Sequence, residues 1–475
     1  MKQYLLRLVL LLACTPVPLA YADILNLNLP DIGDTSGSVI SPQEERHLGE
    51  AFMREVRRHV TILDDPEVNE YIQSLGYRLA ANSDNQTQDF TFFIVKESSV
   101  NAFAAPGGFI GVHSGLILAT ESESELASVI AHEIGHITQR HLARAVEQSD
   151  RLNLPATAAL IAAIVLGGQA GAAVVQGIAV QKQINFTRGN EQEADRVGMQ
   201  TLVRAEFDPR SMPTFFERLQ QSTRFSSRPP EFLLTHPVTE ARIADARNRA
   251  EQLPYRQVKD SLTFQLMRVK LQVLEEPNPK VSVKRFAETL KSGQFRSAEA
   301  QHYGYALALL ASGDYQTARS EANTLLANNK DQLTYQLLLA QIDLASGQQQ
   351  IAMTTFTKAL ELYPGNNPLT MLYASALLQT GQANKARSVL EKHVKTRTSD
   401  PALYKLLAQA EGDAGFKASA HQAQAEYYFL NGQTEDAIQQ LTFALKTKQA
   451  DFYQASQIEA RLKELQDELA LETKP

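Results

Sequence analysis

The 475-residue chain has no tryptophan and one cysteine, Cys14. A lone cysteine cannot close an intramolecular disulfide, so stability must come from core packing and bound metal. A basic excess is also missing: 46 Lys and Arg stand against 53 Asp and Glu, a net charge of -7. Binding nucleic acid requires a patch of Lys and Arg to neutralise phosphates, so no nucleic-acid partner is expected. Hydrophobic residues make up 44% and charged residues 21%, the balance of a soluble globular protein, and the length allows two or three domains.

Long apolar runs are scarce, and the first one reads as a signal peptide over residues 1–22. Lys2 and Arg7 carry positive charge, Leu8 to Ala13 are apolar, and Ala20-Tyr21-Ala22 is a small-x-small cleavage site. The mature chain would begin at Asp23 without any cysteine, which fits export to a bacterial periplasm. A rival reading is a lipoprotein signal, because Leu11-Leu12-Ala13-Cys14 resembles a lipidation box. A retained anchor is disfavoured: a span needs ~20 apolar residues, and Pro16 and Pro18 interrupt this run. The second run, 152–181, carries no charge but holds Gly167, Gly168, Gly171 and Gly177. It predicts a glycine-hinged helical hairpin packing near the site or making a peripheral membrane or partner contact, in preference to a span.

Residues 23–40 read as an extended lead-in. Ser41-Pro42-Gln43-Glu44 starts a helix with a capping box, and Asp65-Pro66 starts a second that reaches about Ala81. Phe90 to Val95 predicts a strand, as does Phe109 to His113 after the Pro106-Gly107-Gly108 break in the strand-like stretch from Asn101 to Thr120. Thr120-x-x-Glu123 predicts the cap of one long helix to about Glu147. Further helices are expected from Glu191 to about Ala205, Pro209 to Gln221, and Thr239 to about Leu253.

From about residue 297 the chain repeats. Gly313, Gly347, Gly381 and Gly415 recur every 34 residues. Ala306, Ala340, Ala374 and Ala408 stand seven positions earlier, and Ala318, Ala352, Ala386 and Ala420 five positions later. Period and residues resemble the tetratricopeptide repeat. Small alanines let the helices of a hairpin approach, and the glycine ends the first helix in a left-handed conformation. Residues 262–296 read as a degenerate first unit, and Gly432 to Leu445 as an irregular further one.

His132-Glu133-Ile134-Gly135-His136 falls inside the predicted long helix. Histidines four apart share a helix face, so both can reach one ion, with Glu133 beside them to take a proton from water. Catalytic zinc wants a third protein ligand and an open position. The extended motif with a third histidine is absent, since Gln139 and Leu142 occupy those places. Glu191 and Asp195 form a carboxylate pair at i and i+4. Glu191 is taken as the third ligand, and Asp195 as the group holding a ligating histidine by its other nitrogen. Glu193 is assigned a capping box with Asn190, or exposure. His141 is read as turned off the metal-binding face.

These motifs, with Asn101-Ala102-Phe103-Ala104-Ala105-Pro106-Gly107-Gly108, resemble the zinc metallopeptidase family of HtpX and the CaaX prenyl proteases. The resemblance supports the Glu191 and Asp195 roles. With the signal segment and repeat tail, it implies a periplasmic protease and chaperone acting on unfolded or misassembled outer-membrane proteins and their assembly machinery. In that family a His-Pro segment lies near the metal, which brings in His236 of Thr235-His236-Pro237 as an oxyanion donor or as a latch occupying the metal's water position.

The expectation is therefore an α+β, mostly α fold. A zincin domain with a small sheet over 41–255 precedes an α-solenoid over 256–475. One zinc per chain is held by His132, His136 and Glu191, with Glu133, Asp195 and His236 as catalytic residues. Substrate is expected to add as a strand beside Phe109 to His113. Because all ligands precede the repeats, a chain ending near Leu253 is expected to lose partner engagement more than zinc binding. The rival class is a non-proteolytic repeat-scaffold chaperone with a silent or structural zinc site, against which Glu133 argues.

Overall fold

A computed structural model describes residues 41–85, 89–147, 154–166, 187–223, 230–254, 256–447 and 449–472. The signal segment, the lead-in and all of 152–181 except 154–166 lie outside the described residues.

The first helix, Pro42–His59, begins with the expected capping box: Ser41 Oγ accepts the Glu44 N–H, and the Glu44 carboxylate accepts the Ser41 N–H. Asp65 caps the second, Pro66–Ala80. Three strands follow: β1 (Thr91–Val95), β2 (Ala102–Ala105) and β3 (Phe109–His113). Their order is β1-β3-β2, with β3 parallel to β1 and antiparallel to β2. The tight Pro106–Gly108 turn folds β2 onto β3. Gly108 has φ 81°, and a Cβ there would lie 1.9 Å from the Asp89 carbonyl oxygen, so only glycine fits. Because β3 is central, an incoming peptide cannot pair beside Phe109 to His113, which corrects that expectation. On β1, Val95 bridges to Ile62 along the outer edge.

Both faces of the sheet are covered. Ala102, Ala104, Ile110 and Val112 face the main core, which includes the motif helix; Phe103, Ala105 and Phe109 face the first helix and Leu154–Leu166. The alternation is the period-2 signature of a strand. Two expectations fail nearby. Ser114–Ala119 is a helix and not strand; Gly115 there sits so close that a Cβ would fall 2.1 Å from the Ser98 carbonyl oxygen. The long helix is also not continuous. Ser122, and not Thr120, caps it by accepting the Glu125 N–H, and it spans Glu123–Thr138. Arg140 then takes the left-handed conformation with φ 52°, and a separate helix runs His141–Glu147.

Twelve helices follow from Leu262–Leu274 to Phe452–Glu472 among the described residues. Gly313, Gly347, Gly381 and Gly415 all have φ between 74° and 87°. Nothing lies within 4 Å of a Cβ at any of the four, so the turn conformation and not crowding requires glycine. Ala306, Ala340, Ala374, Ala318, Ala352 and Ala386 are fully buried, as close helix packing demands. Ala420 is only half-buried. One hydrophobic core runs unbroken from Leu63 to Ile342, across the 255/256 boundary. No described helix is long and apolar enough to cross a membrane.

Candidate metal centre

The motif helix Glu123–Thr138 crosses the acidic helix Arg188–Arg204 at two glycines. A Cβ on Gly135 would meet the Ala194 carbonyl at 2.9 Å, and one on Gly198 would meet the Ala131 carbonyl at 3.0 Å. This close approach lets Glu191 reach the histidines. His132 Nε2 lies 3.0 Å from His136 Nε2. Glu191 places Oε2 3.5 Å from His132 Nε2 and Oε1 3.3 Å from His136 Nε2. Tetrahedral zinc with bonds of ~2.0–2.1 Å sets its donor atoms about 3.3 Å apart. The spacing therefore fits.

His236 joins the same group. Its Nδ1 lies 3.3 Å from His132 Nε2 and 3.1 Å from Glu191 Oε1. One donor atom from each of His132, His136, Glu191 and His236 falls within 4.8 Å of all the others. All four residues are buried. The centre is closed, and a cavity of about 370 Å³ lies elsewhere, lined by Tyr71, Arg78, Thr263 and Asn366. The His236 segment is tied down by its neighbours: Ser99 Oγ donates to Glu231 at 2.9 Å, Phe232 N–H donates to the Val100 carbonyl, and the Phe232 ring stacks on His236.

Asp195 lies behind His132, with Oδ1 2.8 Å from Nδ1. The sequence reading missed its second partner. Arg242 donates to both Asp195 oxygens, through Nε at 2.7 Å and Nη2 at 2.8 Å. Its Nη1 reaches Glu191 Oε2 at 2.7 Å and the Pro237 carbonyl at 3.0 Å. The only signal in sequence was indirect: two buried carboxylates need a counter-ion. Burial works to raise the Asp195 carboxyl, but its bonds to His132 and Arg242 outweigh that and hold it below the ordinary range. Glu191 behaves alike: burial raises it, and His236, His132 and His136 together hold it well below.

Glu133 is fully buried, and neither carboxylate oxygen makes a well-aligned hydrogen bond within the protein, though the Ala104 backbone approaches. Burial pushes its carboxyl up. His236 Nε2 stands 3.6 Å away. Three buried carboxylates, Glu133, Glu191 and Asp195, thus surround one buried guanidinium. A divalent cation would bring their sum to zero, and the nitrogen-rich donor set suits zinc.

One expectation about a neighbour is corrected and another gains a contact. Thr187, and not a box between Asn190 and Glu193, caps the acidic helix by accepting the Asn190 N–H. Glu193 Oε2 instead lies 3.1 Å from His141 Nε2. His141 stays outside the donor group, as expected, but its Nδ1 stands 2.9 Å from Nδ1 of His136.

With this geometry in hand, the comparisons with known proteins converge. Peptidase family M48 matches residues 66–250, and the tetratricopeptide repeat matches 343–410. The beta-barrel assembly-enhancing protease of Escherichia coli (strain K12) is 37% identical over 453 residues, 94% of this chain and 92% of its own. The putative beta-barrel assembly-enhancing protease of Vibrio cholerae is 35% identical, covering 96% of each chain. The mitochondrial metalloendopeptidase OMA1 of Arabidopsis thaliana is 29% identical over 49% of this chain and 47% of its own.

Proposed function

This chain belongs to the family of beta-barrel assembly-enhancing proteases, with a catalytic domain of peptidase family M48, and on that premise we propose a periplasmic quality-control role for it. It is a zinc metalloendopeptidase. Its proposed substrates are unfolded or misassembled outer-membrane β-barrel proteins, engaged together with their assembly machinery through the repeat scaffold. The relatives' names and the repeats support this reading. So does the predicted signal segment 1–22.

The observation that carries the catalytic reading is the converging set of His132, His136 and Glu191 beside an unbonded Glu133. In it, His132, His136 and Glu191 would hold zinc. Bound zinc would act as a Lewis acid toward the scissile carbonyl and acidify the attacking water. Glu133 takes the water's proton and later delivers it to the leaving amine, a task suited to a carboxylate whose proton affinity burial raises above the ordinary. Asp195 fixes the tautomer and orientation of His132, and Arg242 holds Asp195 and Glu191 in place. His236 Nδ1 lies among these donors at rest, so its imidazole would compete with water for a bound zinc and would have to move aside for hydrolysis. An extended substrate pairs with the outer edge of β2, since β3 is enclosed and β2 packs on the motif helix. Residues 152–181 provide a peripheral contact with membrane or partner. Their described part, Leu154–Leu166, spends Ala158, Ile161 and Ala162 on the core.

The test is Glu133→Gln in the full-length protein, measuring bound zinc and cleavage of an unfolded outer-membrane β-barrel protein together. Zinc retained with cleavage abolished is the expected result. Full cleavage by the variant would refute the mechanism.

A further inference from the structure

We propose that His141 and Glu193 form a positioning relay behind the metal ligand His136. The inference rests on His136 being a ligand, and it assigns a role to two residues that the reaction scheme does not use.

The geometry permits one arrangement of protons. His136 turns Nε2 into the donor group, where it meets His132 and Glu191. A ligating imidazole is neutral and lends its lone pair, so the only N–H of His136 is on Nδ1. That nitrogen faces Nδ1 of His141 at 2.9 Å, so His136 donates and His141 accepts. The N–H of His141 is then on Nε2, which points at Glu193 Oε2 at 3.1 Å and donates to it. Each nitrogen has one role, and the Glu193 carboxylate selects the tautomer that makes the chain possible. Such partners fix the ring plane of a ligating histidine and raise its basicity toward the metal.

The backbone is built to make this contact. Five positions beyond His136, a continuing helix would turn His141 away from it. The helix instead stops at Thr138, and Arg140 takes φ 52°, a conformation that non-glycine residues seldom adopt. Arg140 Nη2 is anchored to Glu45 at 3.4 Å across the turn. The following helix starts with His141, which is returned to the back of His136 and buried there.

The two ligating histidines are therefore held differently. Asp195 touches His132 directly, is buried, and is clamped by Arg242. Glu193 acts on His136 through an intervening ring, and its own side chain is 35% exposed. Solvent screens the second arrangement more, so losing Glu193 should matter less than losing His141.

The full-length zinc protein supplies the test, with zinc affinity read by chelator competition and geometry read from the visible spectrum of the cobalt(II)-substituted form. His141→Phe keeps a ring but no relay, and should weaken zinc binding roughly 10–100-fold, the usual effect of losing such a partner, with an altered cobalt spectrum. His141→Gln, which can both accept and donate, should recover much of the loss. Glu193→Leu should shift affinity and spectrum in the same direction by less. The apoprotein melting temperature of Glu193→Leu should match the parent, because this side chain is partly exposed. Parental affinity and spectrum in both His141→Phe and Glu193→Leu would overturn the relay. Should His141→Phe fail to fold, a parental result for Glu193→Leu alone overturns it. His136→Ala separates the two levels: zinc kept in that variant refutes the ligand assignment itself, and zinc lost there with the other variants parental refutes only the relay.

Discussion

Replacing Arg242 with methionine should unbalance the charge beneath the metal centre. Methionine has about the reach of the arginine stem and keeps contact with the Phe216 ring, over which the guanidinium lies at 5.0 Å. It removes the guanidinium's donors to Asp195 and Glu191, the shortest at 2.7 Å, and leaves those carboxylates only their histidine partners. Asp195 and Glu191 are both buried, and burial alone disfavours their charge. Breaking one side of a buried ion pair costs about 3–5 kcal/mol. At ~2–4 °C per kcal/mol for a domain of this size, the apoprotein should melt roughly 10 °C lower. Zinc supplies positive charge at the same place, so saturating zinc should restore part of the loss, and the difference between apo and zinc-loaded melting temperatures should widen. Differential scanning calorimetry with and without zinc measures all of this. An apoprotein of the variant that melts with the parent would refute the reasoning, since it would mean that the two carboxylates need no guanidinium to stay buried.

Glu191→Ala should lose both zinc and proteolysis, and a variant with parental zinc affinity would place the third ligand elsewhere. His236→Ala should hydrolyse an unfolded substrate faster than the parent if the imidazole is a latch; a fall of about 10²-fold in turnover with zinc intact would assign it instead to the oxyanion. In the repeats, burial and then the nearby Glu391 push the Glu411 carboxyl up to about 7 from an ordinary 4.5. The folded state thus holds a proton that the unfolded chain has given up, so stability should fall as pH rises from about 4.5 to about 7, by at most about 3 kcal/mol. Glu411→Gln should flatten that dependence in melting curves between pH 5 and pH 8, and an unchanged slope would exclude Glu411 as its source.

Local chemistry was readable in the sequence because its signals are short-range. The His132–His136 spacing, the Ser41 capping box and the 34-residue glycine register each depend on neighbours along the chain, and each predicted its element. What escaped depends on the fold. The helix break at Arg140 carries no glycine or proline, so nothing marked it, and with it went the contact between His141 and His136. Arg242 lies 47 residues from Asp195 and carries no local pattern. Strand existence could be read for β1 and β3, but the order β1-β3-β2 could not, so a central strand was mistaken for an open edge. Ser114–Ala119 was misread because its leucine and isoleucine suit a strand as well as a buried helix, and only packing decides.

The repeats begin at a composition change, but the energetic boundary lies further on. Phe264, Leu266, Met267 and Leu271 on the helix Leu262–Leu274 belong to the same core as Leu75, Leu126 and Ile130 of the protease domain. Lys270, buried on that helix, reaches Asp65 at 2.8 Å and Glu67 at 2.6 Å. Ser261 donates to Glu123 on the motif helix itself. At the other end of the repeats, Arg57 and Arg58 donate to the Leu430 and Gly432 carbonyls. A chain cut near Leu253 would take away the ammonium facing Asp65 and Glu67, open to water the core residues that pack on Leu262–Leu274, and strip one side of the motif helix. Uncovering a fully buried apolar side chain costs about 1.5–3 kcal/mol, so a few of them amount to a large part of the roughly 5–15 kcal/mol that holds a typical domain folded. Zinc loss in that truncation would therefore report unfolding and not a ligand from the repeats. Separating scaffold from catalysis requires exposed substitutions on the later repeats, beyond Ile342, where the cores are distinct from the one that carries the metal centre.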